Sequence, residues 1–595
     1  MKKLFRIFAL PILLFQVTHV VAGIIYTNPE TNSKLVNIRS NIIIGVNSKL
    51  DPLAVKDRSV IKVTGSQSGK HEVLIRITKD RMKMIFEPET PFELGEVVNV
   101  NVNIDKYLPL KNRTGNFEFS FTTQKTLSQK VHNTLYGDKY LTGIEPDQDQ
   151  YSYHPGTIPE ITVSNSLPSD GKIFLSNFPF TNIANTPYLL ILNNNGSVHT
   201  AVRLKQNGAD FKKTKKGTLT FFSDNEAKFF EMDNNYNIID SFYCGNGYST
   251  DIHELQLLDN SHALLMSYDE QIIDMSSIVA GGNPSATVIG LIIQEIDENK
   301  NVVFQWRSWD HIPITDASHQ DLTASRIDYI HGNAIELDND GNILISSRHL
   351  DEITKISRTT GEIIWRLGGS RNQFQFINDP DKFNYQHGIR RLPNGNIILF
   401  DNGNFHTPPY SRAVEYALDE ANKTATMVWQ YKNTPVIFGF AMGFAQRLEN
   451  GNTFISWGST NPSATEVTPE GNIVQEIFLP PGIYSYRSFK YEWNGPSAFI
   501  DTLRNNIPLK FSLEQNFPNP FNPSTTINFD IPEYSRVNLS IFDCLGRKIN
   551  TLIERELNFG PYSIEFTPNS LPSGIYFYRL TVNEQSETKK MILLK

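Results

Sequence analysis

Three stretches of the chain can be laid over one another: LDNDGNILIS (Leu337–Ser346), LPNGNIILFD (Leu392–Asp401) and LENGNTFISW (Leu448–Trp457), with a degenerate fourth copy, LLDNSHALLM (Leu257–Met266). Each reads as two apolar strands joined by a turn, and the glycine of DG or NG allows the positive φ that tight hairpins need. A second, outer turn follows each one: DENKNVVFQW ending at Trp306, TTGEIIW at Trp365, EANKTATMVW at Trp429 and TPEGNIVQEI around Gly471. Upstream, YLLILNNNGSVHTAVRL and AKFFEMDNNYNIIDSF read as two more outer hairpins. A four-stranded unit of this length cannot bury both of its faces alone. Units repeated in one register therefore predict a β-propeller of about six blades over residues 158–495. DNDG (Asp338–Gly341) imitates part of a calcium loop but lacks the downstream bidentate glutamate at the required spacing, so it reads as a hairpin turn.

The 595 residues exceed what one core organises, and the repeats leave two flanking zones. Residues 23–123 alternate apolar and polar positions in short runs such as EVLIRIT and VVNVNVNI, the pattern of a β-sandwich. Residues 511–595 do the same in VNLSIFDCLGRKI and LPSGIYFYRL. Linkers are expected at 124–157 and 496–510. The fold class is therefore all-β, a propeller between two small sandwiches. The first 22 residues have a basic start and a short apolar stretch ending at Ala22, as in a cleaved secretory signal. Pro11 and Gln16 interrupt that stretch, which is shorter than a bilayer span requires. With net charge −8 and no basic run longer than Lys212–Lys216, the chain lacks the concentrated positive face that nucleic acid demands. Its two cysteines, Cys244 and Cys544, fall in different zones, so no disulfide framework is expected.

The chemistry gathers where the inner hairpins open. Centring the hairpin on Asn339–Asp340 sets His331 opposite Arg348. The same construction sets His387 opposite Asn402 and His253 opposite Tyr268. Repeat geometry then delivers three histidines and one arginine to the same mouth of the central channel. Collecting cationic donors in a crevice is electrostatically unfavourable unless an anion meets them, so an anion site is favoured over a metal site, which Arg348 would repel. No metal or cofactor is expected. His262, His349 and His406 read individually as structural histidines. Tyr329, Tyr268, Phe405 and Trp457 are candidates for a wall against an aromatic ring.

Three resemblances attach to these residues. DYIHGNAIELDNDGNILISSR, YQHGIRRLPNGNIILFDNGN and DIHELQLLDN resemble the bacterial arylsulfate sulfotransferases, which move a sulfuryl group from a phenolic sulfate ester to another phenol without a nucleotide donor. The resemblance implies that His387 is transiently sulfated, that His331 and Arg348 bind the sulfuryl oxygens, and that His253 is the remaining active-site histidine. Asn333, Tyr268 and Asn402 are expected at the substrate. The implied kinetics are ping-pong. Two other readings stay open: a propeller that captures an anionic ligand without reacting, and a metal-dependent lyase or hydrolase. The DP turn at Asp51–Pro52, Val63–Gly69 and FEFSFTT (Phe117–Thr123) resemble bacterial Ig-like domains, usually spacers. NPFNP, SGIYFY and KKMILLK resemble the sorting domain of type IX secretion. That resemblance implies a secreted or cell-surface protein with the secretion machinery as a partner, and the sulfotransferase resemblance implies small aryl sulfates and phenols as the others.

Overall fold

The computed structural model describes residues 23–108, 115–127, 158–179, 186–500, 511–531, 535–557, 560–568, 571–583 and 585–594. The expected signal segment, most of the linker 124–157 and residues 501–510 lie outside them.

Six sheets follow one another along the middle of the chain. Their innermost strands are, in spatial order, Ser488–Tyr491, Gly208–Lys213, Leu255–Leu257, Gly332–Leu337, His387–Arg391 and Phe444–Arg447. The ring is sewn shut twice. Strand Ser488–Tyr491, late in the chain, pairs with Lys172–Ser176 and becomes the innermost strand of the first sheet. Strand Thr162–Asn165, early in the chain, pairs with Ile473–Phe478 on the outside of the last. The molecule is thus an all-β propeller, with apolar residues of adjacent sheets packed between them.

The recurring turn has one geometry. Asp338 N–H bonds Asn342 O at 2.8 Å and Gly341 N–H bonds Asp338 O at 2.9 Å, with Gly341 at φ 82°. Leu392 to Asn396 and Leu448 to Asn452 repeat both bonds, with Gly395 and Gly451 in the left-handed position. This is a three-residue loop in which a type I turn is followed by one left-handed residue. In Leu258–His262 that residue is Ser261 at φ 67°, and outer turns use Tyr236 and Lys300, so the same turn also forms without glycine. The Asp338 carboxylate is held by Arg391 and Lys355, as a hairpin reading requires.

The expected linker 496–510 begins inside the propeller. Ala498–Ile500 adds a parallel strand to Val198–Arg203, which extends the first sheet past the predicted boundary at 495. The N-terminal zone forms two four-stranded sheets around their own core. It is firmly docked. Tyr26 Oη donates to Gln305 O (2.8 Å) and accepts from Gln305 N–H (2.9 Å), Arg307 Nη2 donates to the carbonyls of Lys34 and Leu35, and His311 Nε2 meets Glu30 at 2.9 Å. The C-terminal zone is a three-stranded and a four-stranded sheet over a separate core. Among the described residues no helix is long and apolar enough to cross a membrane. Cys244 is buried and Cys544 exposed, both as free thiols.

Candidate active site

His331 immediately precedes strand Gly332–Leu337, held at φ 44°. Its carbonyl accepts the Arg348 N–H at 2.9 Å, so the two residues face each other across the hairpin as the sequence predicts. A bulge between Gly332 and Ala334 produces that pairing. The other two hairpins differ by small amounts. A register shift between His387 and Arg390 sets His387 opposite Phe400 rather than Asn402, yet its side chain still reaches Asn402. His253 does not open its strand, which starts at Leu255, and the backbone bond there is Asp251 N–H to Met266 O. Gly388 has a local reason to be glycine: φ is +68°, and a Cβ would sit 2.6 Å from the Phe444 ring of the next inner strand.

The side chains converge despite these shifts. The rings of His253 and His331 are 5.2 Å apart between centroids, and those of His331 and His349 are 4.7 Å apart. Arg348 Nη1 lies 2.9 Å from His349 Nε2, Nη2 donates to Phe440 O at 3.0 Å, and the guanidinium lies 4.2 Å from the centre of the Tyr385 ring. His387, only 2 % exposed, is the least accessible of the group. Burial pushes its imidazole well below the ordinary histidine range, and Arg348, His331 and, more weakly, His253 push it the same way. Burial is the larger cause and nearby positive charge the lesser.

Two kinds of partner hold the imidazoles. His253 Nδ1 faces Asp251 Oδ1 at 2.5 Å and His331 Nδ1 faces Asp328 Oδ2 at 2.7 Å. Burial alone would raise the Asp328 carboxyl, but His331 and His349 beside it hold it well below the usual carboxylate range. His387 Nδ1 instead meets two neutral acceptors, Asn402 Oδ1 at 2.7 Å and Tyr385 O at 3.2 Å.

Three residues expected at the substrate are supports. Asn402 is fully buried, and its amide nitrogen donates to Gly439 O (2.7 Å) and Met442 O (2.9 Å). Asn333, also fully buried, donates to Gln386 O at 2.8 Å and so struts the strand entering His387. Tyr268 Oη donates to Gly332 O at 2.6 Å beneath His331. Of the aromatic candidates, Tyr329 and Trp457 are core residues bonded to Ser308 and Thr465, whereas Phe405 is 47 % exposed. His262 and His406 are structural, paired with Glu295 and Asp401.

Sequence reasoning missed Asp251, Asp328, His349 and Tyr385. The first two announce themselves weakly, as DIH and DYIH: an aspartate two or three residues before a histidine accepts its N–H in a local turn. His349 looked structural, but the 3-10 turn Arg348–Leu350 rolls it back into the cluster. Asp328, His331 and His349 place potential metal-ligand atoms within 4.8 Å of one another. Their Nδ1 atoms face Asp328 itself and its backbone carbonyl, and a guanidinium lies against the remaining nitrogen of His349. That donor set suits an oxyanion better than a cation.

The fold and the site are those of an all-β propeller with a histidine-rich mouth. The family model for arylsulfotransferase (ASST) matches residues 127–496, more than half of the chain, and the chain belongs to that family of aryl sulfotransferases. The secretion system C-terminal sorting domain matches residues 515–594, which marks the protein for export to a secreted or cell-surface location. No curated protein matches the chain. Among solved structures, a protein of unknown function from Bacteroides caccae is 13 % identical, covers 54 % of this chain and 99 % of its own, and has a TM-score of 0.34. A streptogramin B lyase is 10 % identical with coverages of 53 % and 87 % and a TM-score of 0.29. A virginiamycin B lyase from Staphylococcus aureus is 11 % identical with coverages of 54 % and 99 % and a TM-score of 0.28. Likeness at that level carries no argument about chemistry.

Proposed function

We propose that the protein transfers a sulfuryl group from an aryl sulfate to a phenol in two displacements through His387, with no nucleotide donor. One observation carries this reading: the tautomer of His387 is fixed. A backbone carbonyl and an amide oxygen both face Nδ1, so Nδ1 bears the proton and Nε2 keeps its lone pair. A depressed pKa keeps that lone pair available at neutral pH.

In the first displacement Nε2 attacks sulfur, the N–S bond forms and the S–O(aryl) bond breaks. The phenolate takes a proton from His253, whose ring is oriented by Asp251 Oδ1 at Nδ1. Arg348 and His331 hold the sulfuryl oxygens as charge shifts on them, the task for which fixed cationic donors are most effective. In the second displacement His253 takes the proton of the incoming phenol, whose oxygen attacks sulfur and releases His387. Protons balance over the cycle. Phenols have a pKa of about 10, so an aryl oxygen leaves far more readily than an alkoxide.

Mixing the enzyme with 4-nitrophenyl sulfate alone tests this. The expected result is one equivalent of 4-nitrophenol and a single sulfuryl adduct that maps to His387, with transfer to phenol unaffected by chelator. Turnover without any adduct on His387, or turnover lost to chelator, overturns the mechanism.

A further inference from the structure

Beyond the imidazoles, the mouth carries a second, aromatic feature. Phe405 is 47 % exposed although it packs against two other rings. The His319 imidazole stacks on it with centroids 3.6 Å apart and planes at 10°, and Tyr385 meets it edge-on at 4.9 Å. All three are pinned. Phe405 N–H donates to Asn384 Oδ1, His319 Nε2 pairs with Asp351 at 3.1 Å, and the Tyr385 hydroxyl accepts from Gln320. Contact is continuous inward, because the face of Tyr385 lies against the Arg348 guanidinium. An exposed, immobilised aromatic group thus ends at the cation of the anion pocket, which matches the two ends of an aryl sulfate.

Toward the opposite end of the channel Asp210, Lys212, Glu254, Glu336, Arg390 and Arg487, on or beside five innermost strands, form a network of three acids and three bases, of which Asp210, Glu254 and Arg487 are fully buried. Glu254 is bound by Lys212, Arg390 and Arg487. Asp210 is bound by Lys212 and Arg487, and Arg390 also faces Glu336 at 3.7 Å.

Given the sulfohistidine reading on which this rests, we infer that Phe405, backed by His319 and Tyr385, is the docking face for the aryl rings of donor and acceptor alike. Both half-reactions take place at the same His387, so the released phenol vacates the place its successor takes. A contact between aromatic rings is worth a factor of roughly two to ten in affinity.

The test is Phe405→Ala with Phe405→Trp as the conservative variant. Initial rates are measured over a grid of 4-nitrophenyl sulfate and phenol, and phenol binding to the resting enzyme is measured by calorimetry. Expected are equal rises in KM for donor and acceptor, a matching rise in the Kd of phenol, little change in kcat, and recovery in Phe405→Trp. If Phe405→Ala changes only the donor KM, the shared site is wrong; if neither KM nor the phenol Kd moves, the docking face is wrong. Absence of a His387 adduct in the wild type condemns the mechanism instead, and calorimetry still decides the ring site.

Discussion

His387 Nδ1 lies 2.7 Å from Asn402 Oδ1, and Asn402 can face it in only one way, because its amide nitrogen is taken by the carbonyls of Gly439 and Met442. A neutral amide therefore fixes the tautomer, whereas His253 and His331 have carboxylates in the same position. A carboxylate stabilises an imidazolium and an amide does not, which separates groups suited to carry protons from the group suited to attack.

That contrast makes Asn402 a positioning residue with two distinct variants. Asn402→Ala frees the ring and is expected to slow the 4-nitrophenol burst about a hundredfold, the scale of a misplaced reacting group, without changing the final adduct stoichiometry. Asn402→Asp turns His387 into a third dyad. Its imidazolium gains stability, so the acid limb of the burst rate moves to higher pH while the rate at alkaline pH is kept. Stopped-flow bursts across pH check both; an unmoved acid limb in Asn402→Asp removes the tautomer argument.

Arg348 supplies geometry as well as charge, with Nη1 at His349, Nη2 at Phe440 O and its face on Tyr385. Arg348→Lys keeps the charge and loses the planar fork. The expected loss in kcat/KM for the donor is roughly ten- to a hundredfold, the range for a charge-assisted hydrogen bond. Steady-state kinetics with Arg348→Lys beside Arg348→Met decides: full activity in Arg348→Lys would show that charge alone matters, and equal losses that the fork alone does.

How far the sequence led is instructive in these same residues. The turn repeat was legible because loop geometry and strand alternation are local; centring the hairpin on Asn339–Asp340 instead of Asp340 alone is one residue off, and the bulge at Asn333 cancels that offset to set His331 against Arg348. The bulges at Asn333 and after His387 were not legible. Each displaces a partner by one or two positions while leaving the apolar alternation almost intact. Asp328 escaped because it ends the long connection between the third and fourth sheets, where no repeat gives a register; only its parallel pairing with Ala286–Ile296 fixes it. The docking of the N-terminal sandwich depends on backbone carbonyls of Lys34 and Leu35 that carry no sequence signal at all.

The pH dependence of stability follows from His387. Its folded pKa is depressed, and its unfolded value is about 6.5. Below that pH the unfolded chain binds a proton that the folded one refuses, so this contribution is fully present above pH 6.5 and is lost as pH falls further. The melting temperature of the wild type is expected to fall more steeply from pH 6.5 to 5 than that of His387→Gln. Parallel curves from thermal melts of the two proteins would remove His387 as a source of acid sensitivity.

The buried ionic network beneath the site joins stability to function through Arg487. Its Nη1 binds Glu254 at 2.8 Å and Asp210 at 3.1 Å, while Nη2 donates 2.7 Å to the carbonyl of Asn333, two residues after His331. Both carboxylates and the guanidinium are fully buried, so Arg487→Met leaves charge uncompensated where water cannot reach it. The expected destabilisation is about 3–5 kcal/mol, the range for breaking a buried pair from one side. Denaturant unfolding should show a lower midpoint, and Arg487→Met combined with Asp210→Asn should recover part of it by removing one stranded charge. Because the bond from Arg487 to the Asn333 carbonyl is lost as well, the 4-nitrophenol burst, measured well below the melting temperature, is expected to stay slow in the double variant after stability has returned. Full recovery of both together would mean that the network supports the fold alone and leaves the placement of His331 to its own sheet.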